Sequence, residues 1–172
     1  MICKAKIEDA KLLSELGAET FIDSHKDSAP AHELNTYMRK IYSEEFIKNE
    51  LANPENIYHL ISHENKVAGF SKMELSMKHE AIEIEGVSKM DQIYLLDSFH
   101  GLKLGAKLLS YNIEYSKSCK QNGMWLVVWV GNTTAISFYV KFGFHIVTKA
   151  EFQLTDNHLS PCYIMLLKYE SN

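Results

Sequence analysis

The chain has 172 residues, 46% of them hydrophobic and 23% charged, with a formal net charge of -4. That size and composition fit one globular domain with a real core and exclude a disordered chain. The acidic balance argues against a nucleic-acid surface, which needs clustered positive charge, and is compatible with a cationic partner.

The elements follow from periodicity and turn chemistry. Ile2 to Ile7 alternates apolar residues with Lys4 and Lys6, as an opening strand does. From Asp9 to about Ile22, Leu12, Leu13, Leu16 and Phe21 recur at helical spacing, and Ser24 to Ala31 reads as a break. Leu34, Tyr37, Met38 and Ile41 predict a second helix. Ser43 heads a third that Asn53-Pro54 ends, its Glu44, Glu45 and Lys48 to Glu50 forming a solvated face. Ile57 to Ser62 and Val67 to Leu75 form a hairpin around His63-Glu64-Asn65-Lys66. Lys78 to Gly86 is ambiguous, its Ile82-Glu83-Ile84-Glu85 alternation suggesting a strand start with a bulge at Gly86.

Lys89 to Leu96 predicts a strand, and Leu104 to Gln121 a long helix stopped at Asn122-Gly123. Met124 to Val130 is nearly all apolar, as a central strand covered on both faces requires. A short helix over Thr134 to Phe142 and closing strands over Phe144 to Phe152 and Cys162 to Lys168 complete one α+β domain, residues 1–172, with a mixed sheet. Cys3, Cys119 and Cys162 read as buried small hydrophobes in a reducing compartment. The opening segment lacks an apolar signal core, and no stretch reaches the roughly 18 residues of a membrane span, so a cytoplasmic protein is expected. The eight histidines show no ligand spacing, and no metal is expected.

Two segments carry chemistry. Ile93 to Leu109 reads as strand, glycine turn and helix start. Gly101 and Gly105 let a main chain approach phosphates closely, and the N–H groups of His100, Gly101, Leu102, Lys103, Leu104, Gly105 and Ala106 are placed to hold a pyrophosphate at a helix N-terminus. Lys103 cannot adopt a positive φ cheaply, so ordinary helical angles are expected there, with its ammonium free to contact phosphate. The second segment runs from the strand Trp125 to Val130 through Asn132, Ala135, Phe138-Tyr139 and Lys141 to the exit Gly143-Phe144.

Together these segments resemble the acetyl-CoA-binding core of the GNAT N-acetyltransferases. Gly105 and the Asn132 to Phe144 pattern match that family, whereas His100 and Lys103 depart from its usual phosphate-loop residues. Within it the Ile93-Tyr94, Ser98-Phe99, Trp125 and Trp129 features are similar to bacterial PaiA-type spermidine/spermine N-acetyltransferases. The resemblance implies a three-layer α/β fold, its mixed, mostly antiparallel sheet flanked by helices and containing a splayed parallel strand pair. It implies acetyl-CoA as co-substrate, backbone bonds from Ile93, Tyr94 and Leu95 to the pantetheine arm, a further bond from Asn132, and Tyr139 aimed at the thioester sulfur. A phenol of pKa about 10 can protonate a departing thiolate whose acid has pKa about 8.5, and the Leu95 N–H could stabilise the oxyanion. Asp91, taken by strand alternation to share a face with Ile93 and Leu95, is the first candidate base, with Glu83 and Glu85 second. Glu44, Glu45, Glu83, Glu85 and Asp91 are compatible with a polyamine substrate. A peptide or protein amine as acceptor, and a CoA-binding regulatory module without catalysis, remain alternatives. Related domains often form homodimers.

Overall fold

A computed structural model describes residues 1–156 and 158–170. Asn157, part of the expected polar loop before the last strand, lies outside the described residues. Seven strands form one mixed sheet: β1 (Ile2–Lys4), β2 (Asn56–His63), β3 (Lys66–Glu74), β4 (Val87–Leu95), β5 (Gly123–Trp129), β6 (His145–Thr155) and β7 (His158–Lys168). Their spatial order is β1-β2-β3-β4-β5-β7-β6, and among the described residues only β4 and β5 pair in parallel. Three helices, α1 (Ala10–His25), α2 (Ala31–Ile41) and α3 (Glu44–Ala52), pack through Leu13, Phe21, Leu34 and Ile47 against Tyr58, Phe70 and Tyr94 of one sheet face. The other face carries α4 (Leu104–Ser118) and α5 (Thr133–Lys141), whose Leu109, Ile113 and Ile136 pack on Met73, Met90, Leu126 and Met165. Burying both faces explains why β5 is apolar at nearly every position.

Local chemistry accounts for the boundaries. Ser43 Oγ accepts the Phe46 N–H at 3.2 Å and caps α3. Glu64 and Asn65 both adopt positive φ (48° and 62°), the conformation that joins β2 to β3 without splaying them. Helix α4 ends three residues before the expected Gln121. Lys120 turns left-handed (φ 60°) and Gln121 N–H reaches back to Ser116 O, closing the helix before Asn122-Gly123.

Other expectations are corrected. The opening strand stops at Lys4, because Ile7–Asp9 forms a 3-10 turn leading into α1, which itself runs three residues beyond Ile22. No strand forms between Lys78 and Gly86: Ile82 is buried in a turn-rich connection fixed by Trp125 Nε1 donating to Met77 O. Gly86, with φ 66°, bends the chain into β4. The last two strands are longer than expected, pairing up to Thr155 and His158. Of the cysteines only Cys162 is buried, and Cys3 is exposed. Glu50 leaves the solvated face assigned to it: its carboxylate meets Lys72 Nζ at 2.5 Å and accepts from Tyr58 Oη at 3.2 Å. Among the described residues no helix is long and apolar enough to cross a membrane.

Candidate active site

The parallel pair β4–β5 is joined only through Val87, Ser88 and Lys89 against Gly123, Met124 and Trp125. Beyond Lys89 the strands diverge, although β4 continues to Leu95 and β5 to Trp129. On its other side β4 stays paired with β3, and Leu96 N–H donates to Ala68 O. Hydrogen-bonding direction alternates along an antiparallel strand, so the main-chain groups of Ile93 and Leu95 turn away from β3 into the gap. Those of Tyr94 face β3, where the Tyr94 carbonyl comes so close to Gly69 that a Cβ there would lie 2.2 Å away. Tyr94 therefore contributes its ring to the site rather than the expected backbone bonds. A strand half with unsatisfied groups buried beside a cavity is built to receive a partner of its own length.

Three adjoining spaces follow the gap. A groove of about 560 Å³ runs over Ile93, Leu95 and the turn, lined by His100, Gly101, Lys103, Leu104, Gly105, Ala106, Asn132 and Tyr139. It continues into a cavity of about 140 Å³ at the divergence, between Asp91 to Tyr94 on one side and Val127, Trp129, Asn132 and Tyr139 on the other. That space shares His25, Asp91, Gln92, Tyr94, Val127 and Trp129 with a third, of about 130 Å³, reaching under α1 and α2. The site is thus open from both sheet faces, so two substrates can meet at the divergence from opposite sides.

At the groove end, α4 begins at Lys103, which has no side-chain cap. The residue adopts φ 58°, ψ 16°, correcting the ordinary helical angles expected there. A left-handed lysine costs about 1–2 kcal/mol relative to the common regions. The first residues of α4, Leu104, Gly105 and Ala106, border the groove, and a helix N-terminus favours anions there. Gly101 takes φ 78° in open space, and a Cβ added at Gly105 would meet only Leu95 Cδ1, at 3.6 Å. His100 Nε2 lies 3.2 Å from Leu95 O, so that carbonyl is partly engaged while the Leu95 N–H is left to the gap. Leu102 lines none of these spaces and is exposed. Lys141 sits with Thr133, Thr134, Ser137 and Phe138 around a neighbouring groove of about 380 Å³.

Asn132 caps α5: its Oδ1 accepts the Ala135 N–H at 3.0 Å, which leaves only its amide NH₂ for a ligand. The cap aims the helix so that Tyr139, two turns on, faces the divergence, its ring edge-packed by Phe138 and Phe144. Burial raises the Tyr139 phenol well above its ordinary range, so it keeps its proton until a strong base forms beside it.

Asp91 lies on a different face from the one expected. A bulge interrupts the β3–β4 ladder: Lys72 pairs with Gln92 and Met73 with Met90, leaving Asp91 as the extra residue. The shift turns Asp91 toward the α1–α2 side, with Lys89 and Tyr94 rather than Ile93 and Leu95. Its carboxylate is bonded to Lys89 Nζ at 2.5 Å and Lys72 Nζ at 3.3 Å. Burial would raise its pKa, but the two ammonium groups outweigh this and hold it below the usual carboxylate range. Lys72 is further bonded by Glu50 and Glu74, at 2.5 and 3.2 Å. Glu83 and Glu85 stand exposed on the connection before β4, Glu85 paired with Lys78, and neither lines the site. Glu44 and Glu45 are exposed on α3, outside the site as well.

Among the site residues that lay outside the sequence expectations, one bears on the chemistry. His25, the last residue of α1, lines both inner cavities. Its Nδ1 lies 3.0 Å from Phe21 O and must donate there, which leaves Nε2 an unprotonated acceptor. Burial lowers its pKa more than that hydrogen bond raises it, so the ring is neutral at pH 7. The sequence signal was its position four residues after Phe21, on whose ring it stacks at 4.3 Å.

Residues 18–144 match the acetyltransferase (GNAT) family. An uncharacterised N-acetyltransferase from Lactobacillus delbrueckii subsp. lactis is 27% identical over 144 residues, covering 83% of this chain and 82% of that protein. The crystal structure of the PaiA N-acetyltransferase from Thermoplasma acidophilum, in complex with coenzyme A, superposes with a TM-score of 0.77 at 22% identity, covering 98% of each chain. The ribosomal-protein-S18-alanine N-acetyltransferase from Escherichia coli does so at 0.72 and 16% identity, covering all of this chain and 95% of that one.

Proposed function

Because the chain belongs to the GNAT family of acetyltransferases, we propose that it transfers the acetyl group of acetyl-CoA to a primary amine, the two substrates entering the β4–β5 gap from opposite faces. The observation that carries this reading is the early end of the β4–β5 pairing at Lys89 and Trp125, which leaves the Ile93 main-chain groups and the Leu95 N–H free beside the half-buried Tyr139. The residues fit the thioester: a strand edge for an amide-bearing arm, and the start of α4 with Lys103 for phosphates, with Lys141 on the adjoining groove. The coenzyme A held by the Thermoplasma relative supports the same assignment.

When bound, acetyl-CoA supplies an activated carbonyl and a thiolate leaving group. The amine nitrogen forms the new C–N bond as the C–S bond breaks. The Leu95 N–H, facing the gap, is placed to donate to the carbonyl oxygen as it becomes negative. Tyr139 gives its phenol proton to the sulfur. Its raised pKa keeps the phenol protonated before the reaction. Because the phenolate left behind is a stronger base than the thiolate, the transfer is uphill, and the proton released by the amine restores Tyr139 at the end of the turnover. The amine must shed a proton. Asp91, held ionised and neutralised by two lysines, is a poor acceptor for it, and we assign it to fixing Lys89 and Lys72 at the cavity floor. His25, a neutral ring that lines the cavity with Nε2 left as an acceptor, is the better base.

Replacing Tyr139 with Phe tests the reading. Thiol release should fall about 10²- to 10⁴-fold in kcat, the usual contribution of a positioned acid, with the Kd for acetyl-CoA unchanged by direct titration. Unchanged kcat would remove Tyr139 from the mechanism.

A further inference from the structure

The sheet ends on β6, which has β7 on one side and, among the described residues, no strand on the other. Pro161 fixes which main-chain groups of β6 face that open edge. The Pro161 carbonyl accepts the Val130 N–H at 3.0 Å, so the main chain of Pro161 faces β5. Glu151 stands opposite Pro161 in the β6–β7 register, and theirs is therefore a non-hydrogen-bonded pair. The N–H and C=O of Glu151 turn away from β7. Those of Lys149 do the same, because it lies two residues back within Thr148 to Gln153, a stretch that pairs without a register shift. Such an edge is a template for another strand.

Side chains alternate along the same stretch. Ala150 and Phe152 lie on the sheet face that carries α1 and α2, where Ala150 packs on the core and Phe152 lines the cavity beneath those helices. Lys149 and Glu151 lie on the opposite face and are exposed. Charges on an outer strand ordinarily block edge pairing. Here the two are opposite in sign and two residues apart, so the edge repels most registers and attracts one.

A second β6 running antiparallel completes the edge only where outward-facing residues oppose one another, which places the two-fold axis at a residue rather than between two. With the axis at Ala150, Lys149 opposes the partner's Glu151, and Glu151 opposes the partner's Lys149. Each pair exchanges both main-chain hydrogen bonds and sets opposite charges on Cα atoms about 5.5 Å apart. Ala150 meets its own copy at the closer, non-hydrogen-bonded spacing of about 4.5 Å, which a methyl side chain fits. Moving the axis to Lys149 or to Glu151 sets each of those residues against its own copy, a like-charge pair. No other register pairs Lys149 with Glu151.

We propose that β6 is an interface between two copies of this chain, paired antiparallel from Thr148 to Phe152 about a two-fold axis at Ala150. The two sheets join through a pair of Lys149–Glu151 contacts, a self-complementary patch of the kind a closed two-fold contact requires. The partner's Thr148 falls opposite Phe152, on the outer wall of the cavity under α1 and α2. This pairing is independent of the transfer reading.

Sedimentation equilibrium of the full chain, from low to high micromolar concentration, tests it. The expected result is a reversible dimer. Lys149→Glu and Glu151→Lys each turn both symmetric pairs into repulsions and should weaken association about tenfold or more. The double variant, with the two charges exchanged, restores opposite pairs and should recover the parent Kd to within about threefold. Glu151→Pro removes an N–H that β7 does not use, and should abolish the dimer while the protein still unfolds cooperatively. A chain that stays monomeric throughout overturns the proposal. So does a dimer indifferent to the single reversals or to Glu151→Pro, and so does a double variant that fails to regain association.

Discussion

Lys103 offers a direct measure of how the turn at the start of α4 is held. It is the N-cap of that helix at φ 58°, and no side-chain hydrogen bond compensates the strain. A left-handed conformation costs an L residue about 1–2 kcal/mol, and glycine avoids this while giving back roughly 0.5–1 kcal/mol in unfolded-chain entropy. Lys103→Gly should therefore stabilise the fold by about 0.5–1 kcal/mol, raising Tm by roughly 1–4 °C for a chain of this size. The same change removes an ammonium from the groove. An exposed charge contributes about 0.2–1 kcal/mol, so acetyl-CoA should bind about 1.4- to 5-fold more weakly, less so in high salt. Lys103→Ala separates the two effects, because it loses the charge and keeps the Cβ. Scanning calorimetry and CoA titration of both variants complete the assay. If Lys103→Gly is no more stable than Lys103→Ala, the conformation assigned to this turn is wrong.

Other expectations test the remaining supports. Gly69→Ala would drive a Cβ to 2.2 Å from the Tyr94 carbonyl, backbone that cannot yield without moving β4. Urea unfolding should show a loss of about 2–4 kcal/mol, with acetyl-CoA affinity falling in the protein that remains folded. His59 is fully buried, with Nδ1 2.8 Å from Asn112 Oδ1 and Nε2 unpartnered. Burial lowers its pKa more than the Asn112 bond raises it, and Lys4 lowers it further. The unfolded chain then takes up the proton first. Stability is complete above the unfolded value of about 6.5 and is lost as pH falls below it, by up to roughly 1.4 kcal/mol per pH unit from this group. Denaturant midpoints from pH 7.5 to 5 should show that slope, flattened in His59→Gln. For His25, the acid limb of kcat/KM should fall below pH 6.5, because its lowered pKa keeps Nε2 free down to that range. His25→Gln should lower kcat/KM and abolish the limb, and a limb that survives would discount His25 as the base.

What was legible in this chain was whatever depends on neighbours in sequence. Apolar spacing located all five helices and the strands that bracket the site, and Asn132, Gly143 and Tyr139 stood at the spacing that the short helix α5 then realised. What was not legible depends on pairing. The segment Met90-Asp91-Gln92-Ile93 alternates as cleanly as any regular strand, so nothing in it announces the bulge that turns Asp91 to the α1–α2 side. That extra residue is set by how β4 registers against β3, where Lys72 opposes Gln92. Lys72 itself was the available clue. A lysine inside the otherwise apolar run Val67 to Leu75 must find counter-charges or leave the strand, and Glu50, Glu74 and Asp91 converge on it. Once Asp91 is committed there, it no longer supplies a free base for the amine. The same pairing that hides the bulge thus leaves the proposed base to His25, whose role rests on a lone pair rather than on charge.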